Sequence, residues 1–162
     1  MYRNRTFNQG VTIIEVVIVL GILGVLMSIG AMNARPPAER LAANAVQSFV
    51  QQSRFEAVRS NRPVVVSYAP ETRSLTARRS ASSTVVTCTA GGTVTRTLNL
   101  SEFGGVTSDA DFSLLWLPTG QARACPAGSA PLDVNTGAEF TITGPRTTFT
   151  VAVGSGGEVV VR

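Results

Sequence analysis

Few residues in this 162-residue chain can do chemistry. It has no histidine, and all 14 basic residues are arginine, so the usual neutral-pH general base, the Schiff-base amine and the phosphate-loop lysine are all absent. Cys88 and Cys125, with no histidine to join them, supply too few ligands for zinc. Asp109 and Asp111 form a close acidic pair, but the sequence around them lacks the further oxygen ligands that calcium needs. Gly154-Ser155-Gly156-Gly157 is glycine-rich, yet it leads into a β-branched run and not a helix, so it does not read as a phosphate cradle. We expect no catalytic residue, no metal, no cofactor and no enzyme activity.

One titratable group stands out by its surroundings. Within residues 10–34, GVTIIEVVIVLGILGVLMSIGAMNA, Glu15 is the only charge, and the run from Val16 to Ala34 is apolar or uncharged. At about 1.5 Å per residue this length predicts a helix able to cross most of a bilayer core of about 30 Å. A carboxylate at such a place is costly, and with no basic residue in its own segment Glu15 implies a partner from outside. The leader before it holds Arg3 and Arg5 and no acid, which predicts a cytoplasmic N-terminus and export of everything after Ala34. A secretory signal peptide would have a shorter apolar region, about 7 to 15 residues, ending at an A-x-A-like site.

A short basic leader ending in Gly10, then Val11-Thr12-Ile13-Ile14-Glu15 and an unbroken apolar run, resembles the class III signal of type IV pilins and pseudopilins. The resemblance implies cleavage by a prepilin peptidase between Gly10 and Val11, N-methylation of Val11, and Glu15 as the fifth residue of the mature chain. It also implies a single-pass protein of the bacterial inner membrane with an extracytoplasmic domain, which reaches a pilus or a periplasmic pseudopilus after assembly. Its partners would be other pilins or pseudopilins and an inner-membrane assembly platform. Val11 departs from the phenylalanine or methionine usual at that place. In physical terms, the Glu15 carboxylate can pair with the α-amine of a neighbour's Val11 during assembly and so select register.

Composition bounds the remainder. Setting aside Arg3, Arg5 and Glu15 leaves 12 arginines against 9 carboxylates, a mildly basic +3. The residues after the first helix suffice for one compact domain and not for two. Both cysteines fall in this exported part, where an even count favours a Cys88–Cys125 disulfide, contributing about 3 to 4 kcal/mol, over two free buried thiols.

Four segments follow: a leader over 1–10, a transmembrane assembly helix over 11–34, an amphipathic continuation over 35–60 and a β-rich domain over 61–162. A kink is expected at Pro36-Pro37. Residues 38–60 contain no glycine or proline, and Leu41, Ala45, Phe49 and Gln52 or Ser53, with Val46, Val50 and Ala57 beside them, recur at helical spacing. Arg40, Gln51, Arg54 and Arg59 fall mostly off that face. Asn61-Arg62-Pro63 should end the helix. Short β-branched runs then cover 63–68, 74–77, 84–88, 93–98, 112–117, 121–125, 140–143, 147–153 and 158–161, with turns at Pro118-Thr119-Gly120 and 154–157 and a surface loop over 126–137. Arg96 alternates onto the wrong face for a clean core strand. The fold class expected is α+β, the type IV pilin fold: a long N-terminal helix on antiparallel sheet.

The junction from Gln52 to Val64, the Leu117-Pro118-Thr119-Gly120 turn and the closing glycine hairpin resemble the GspH/FimT group of minor pseudopilins and minor pilins. That implies a structural subunit of a type IV pilus or a type II secretion pseudopilus. It also raises a second role, DNA capture for natural transformation, in which Arg123, Arg146 and Arg162 would meet phosphate if the C-terminal hairpins brought them together. Glu158 stands where such a binder would be expected to carry arginine.

Overall fold

The computed structural model describes residues 12–33, 37–83, 88, 91–108, 112–125 and 137–162, in two compact units, Met1–Pro36 and Pro37–Arg162. The expected leader, the strand residues 84–87 and the loop residues 126–136 lie outside the described residues, as does Pro36 of the expected kink.

The first unit is a helix, α1 (Ile13–Asn33). Thr12 starts it: its carbonyl accepts the N–H of Glu15 at 3.0 Å and of Val16 at 3.3 Å. Every described side chain from Thr12 to Ser28 is exposed, valine, isoleucine and leucine included. The membrane-crossing helix expected over 11–34 is corrected here: among the described residues, no helix is long and apolar enough to cross a membrane. Glu15 places a carboxylate, which is costly in a hydrocarbon core, in the first turn of α1. The single-pass inner-membrane placement falls with it.

The second unit starts with α2 (Ala38–Ser60), whose first acceptor is the Pro37 carbonyl. It ends as the Asn61-Arg62-Pro63 run predicts. Asn61 turns left-handed at φ 51°, the N–H of Arg62 reaches back to the Ala57 carbonyl at 3.2 Å, and Pro63 forbids continuation. The buried face consists of Ala42, Ala43, Val46, Phe49, Val50, Ser53 and Ala57. Leu41, expected on it, is 45% exposed, because the small Ala42 and Ala43 make the close contact and rotate Leu41 outward.

Two antiparallel sheets complete this unit. The larger is ordered β3-β2-β1-β4-β5, from β1 (Val64–Ala69), β2 (Ser74–Arg79), β3 (Thr93–Asn99), β4 (Ser113–Trp116) and β5 (Ala122–Ala124). The smaller is β6-β7-β8, from β6 (Ala138–Thr143), β7 (Thr148–Val153) and β8 (Val159–Val161). Strand β1 is central and buried on both faces at Val64, Val65 and Val66, which is why its sequence runs apolar without alternation. Strand β3 is an edge strand with six of its seven residues exposed, so Arg96 needs no core face there.

The core lies between α2 and the sheets. Phe140 of β6 meets Tyr68 of β1 and Phe112 edge-on, each with ring centroids 5.1 Å apart, joining one sheet to the other. On the opposite face of the larger sheet a second cluster gathers Val65, Leu115, Leu117 and Cys125, with Cys88 packed against it. Cys88 and Cys125 are disulfide-bonded.

Candidate assembly site

Glu15 sits at the third helical position of α1, and its N–H also reaches the Thr12 hydroxyl oxygen at 3.4 Å. Thr12-x-x-Glu15 is thus the sequence form of a capping box, with an acidic side chain where the positive end of the helix dipole favours one. Glu15 has no ion pair among the described residues, so its carboxylate is available to a cation from elsewhere. Gly10 and Val11, the expected cleavage and methylation positions, lie outside the described residues.

In the second unit the polar side chains of α2 bind the hairpin turns. Glu39, 1% exposed in the first turn, accepts the backbone N–H of Arg146 at 3.0 Å. Its own backbone N–H and then that of Arg146 hold its pKa below the ordinary 4.5, against the opposing effect of burial. A side chain at Gly144 would overlap Glu39, so the β6–β7 turn must carry glycine there. Midway along the helix, Gln47 donates from Nε2 to the Val159 carbonyl of β8 at 3.0 Å.

Arg54 ties together two further turns. Its Nη1 donates to the Gly157 carbonyl at 2.9 Å and its Nη2 to the Gly156 carbonyl at 3.3 Å, while its Cζ stands 5.9 Å from the centroid of the Trp116 ring. Gly120 and Gly157 have φ of 82° and 89°. A Cβ at Gly157 would lie 2.5 Å from the Gly120 carbonyl and 2.8 Å from Cζ of Arg54, and one at Gly120 would lie 3.2 Å from Nε. Those two glycines therefore serve both backbone conformation and a socket for one guanidinium. Read from sequence, the two glycines mark hairpin turns and Arg54 lies off the apolar face; no local signal joins them, because they meet only once both turns fold against the helix.

The three arginines considered for DNA are not gathered. Arg123 lies in β5, opposite Leu115 on the face that carries the second apolar cluster, and its Nε is buried with no hydrogen-bond partner among the described residues. Arg146 is in the β6–β7 turn, before the start of β7, and Arg162 follows β8, where it pairs with Glu139. The neighbouring Ala122 bonds the Ser155 carbonyl, past the other end of β7, so the six-residue strand, about 20 Å, separates Arg123 from Arg146. Asp109 and Asp111 lie outside the described residues. The 154–157 run is the β7–β8 turn, with Glu158 folded over Gly154.

Residues 5–31 match the family model described as the prokaryotic N-terminal methylation motif. No curated protein sequence matches the chain significantly. Among solved structures, the type IV minor pilin FimU of Pseudomonas aeruginosa is similar at 13% identity and a TM-score of 0.56, over 76% of this chain and 87% of that one. EpsH of Vibrio cholerae, a minor pseudopilin from the type 2 secretion system, is similar at 17% identity and a TM-score of 0.54, over 78% of this chain and 97% of that one. The chain thus joins a prokaryotic N-terminal methylation motif to the fold of the type IV minor pilins and minor pseudopilins.

Proposed function

We propose that the chain is a minor pilin or pseudopilin subunit, cleaved by a prepilin peptidase after Gly10, methylated on Val11 and assembled through α1 into a type IV pilus or a type II secretion pseudopilus. The observation that carries this reading is α1 itself, a helix with apolar side chains exposed on every side and one carboxylate in its first turn. Exposed apolar surface on this scale marks a surface that something else covers. Neighbouring subunits can cover it, and the α-amine of a neighbour's Val11 gives Glu15 its counter-charge. Desolvating that pair makes a subunit placed one register away leave a buried charge unpaired, which is costly.

The maturation step is tested by intact-mass and N-terminal analysis of the chain recovered from its host with and without prepilin peptidase. The expected product is a chain starting at N-methylated Val11, seen only when the peptidase is present. A product that retains residues 1–10 in the presence of peptidase would overturn the reading.

A further inference from the structure

Strand β8 is an edge of the smaller sheet, and its register shows which backbone groups it leaves unused. Arg162 exchanges both backbone hydrogen bonds with Thr150, at 2.8 and 3.0 Å, and the Glu158 carbonyl accepts the Gly154 N–H at 2.9 Å. In an antiparallel ladder such pairs alternate, so Val159 and Val161 turn their N–H and C=O groups away from β7, toward the open edge. Gln47 takes the Val159 carbonyl. Among the described residues, the N–H groups of Val159 and Val161 and the Val161 carbonyl are left without a partner along that edge.

The edge is shaped as well as unpaired. A groove of about 450 Å³ runs between it and the flank of α2, lined by Arg40, Asn44, Gln47, Phe149 and the β8 residues Val159, Val160 and Val161. Helix and strand are antiparallel here, since Glu39 contacts the β6–β7 turn, Gln47 meets Val159, and Arg54 meets Gly156 and Gly157. Arg40 therefore stands at the C-terminal end of β8, and it is exposed with no ion pair among the described residues. Arg162, at the same end, is already paired with Glu139.

We infer that this groove is a docking site for an extended segment of a neighbouring subunit, which adds to β8 as a further strand and places a carboxylate against Arg40. The backbone edge selects an extended chain, because only a strand offers donors and acceptors at alternate residues along one side. Arg40 selects the sign of charge at its end. Asn44 and Gln47 line a polar wall, and Phe149 and Val161 give apolar contacts for alternate side chains. That the strand comes from a neighbouring subunit rests on the filament reading above; the edge chemistry does not.

The test uses the full chain in detergent and a fluorescent, end-blocked peptide of alternating valine and threonine with an aspartate at each end, followed by anisotropy. We expect saturable binding, weakened about tenfold or more when prolines replace the valines and remove the backbone donors. Arg40→Glu should weaken the aspartate peptide by a similar factor and strengthen its lysine-ended counterpart. Val161→Pro removes an outward donor while sparing the ladder, and should weaken both peptides. An unchanged thermal transition in Arg40→Glu shows that folding is intact. Glu15→Leu should leave peptide binding unchanged, which separates failure of this site from failure of α1 assembly. Equal binding of the proline peptide, no response of either peptide to Arg40→Glu, or no binding of the aspartate peptide at millimolar concentration would each overturn the inference.

Discussion

The two helices are nearly equal in length, 21 residues in α1 and 23 in α2, and opposite in design. Helix α2 divides its surface: small and apolar residues face the sheets, while Glu39, Gln47 and Arg54 hold the turns at its margins. In α1 there is no such division, and every described side chain is exposed. A helix with one apolar face has its partner in the same chain, whereas one that is apolar all round has its partners elsewhere. The contrast separates what the chain folds by itself from what it must find outside.

The sharpest way to break this comparison is to truncate one apolar side chain in each helix. Phe49→Ala on α2 should cost about 3 to 5 kcal/mol of stability, and Leu20→Ala on α1 should stay within about 0.5 kcal/mol. Trp116 is the only tryptophan and is fully buried, so its fluorescence during urea unfolding of the full chain reports the second unit directly. Equal losses from the two substitutions would abolish the distinction.

A smaller effect is expected from the joint. Arg54→Met keeps much of the packing on Trp116 but removes both hydrogen bonds to the β7–β8 turn, for a loss of about 2 kcal/mol in the same assay. Hydrogen exchange should rise at Gly157 and Gly120, whose amides bond Gly154 and Leu117 within the two turns, before it rises in β1. Uniform exchange across the unit would show that Arg54 does not act locally.

Least visible at neutral pH is Glu39, whose contribution appears on acidification. Its folded pKa lies below 4.5, so the unfolded chain takes up the proton first; the stability is present above pH 4.5 and is lost as pH falls through the lower folded value. Urea midpoints measured from neutrality down through that range should fall more steeply for the wild type than for Glu39→Gln. Parallel curves would remove Glu39 from the account.

Much of this was legible in sequence because it depends on local rules. The α2 boundaries follow from Pro37 and from Asn61-Arg62-Pro63, and the strand runs follow from β-branched residues between turns. The second cysteine pair member could be matched to the first because both fell in one domain, and the disulfide joins them. What sequence hid were contacts across long separations. Arg54 meets turns that are far from it in sequence, and Glu39 meets Arg146 only once the β6–β7 hairpin folds back. Leu41 misled for a related reason: periodicity marks apolar residues but not which of them the sheet can approach, and two alanines took that place. The three candidate DNA arginines shared only their position in C-terminal hairpins, and the strands carry Arg123 to the opposite end of β7 from Arg146 and Arg162.

The central claim is that other subunits cover α1 and that Glu15 sets their register. It is tested most directly by photocrosslinking in the native host, with the crosslinking side chain at Leu20, in wild type and in Glu15→Leu. The account predicts crosslinks from wild type to other subunits bearing the N-terminal methylation motif, and their loss in Glu15→Leu while the second unit stays folded. Crosslinks to the same subunits at the same yield in Glu15→Leu would contradict it.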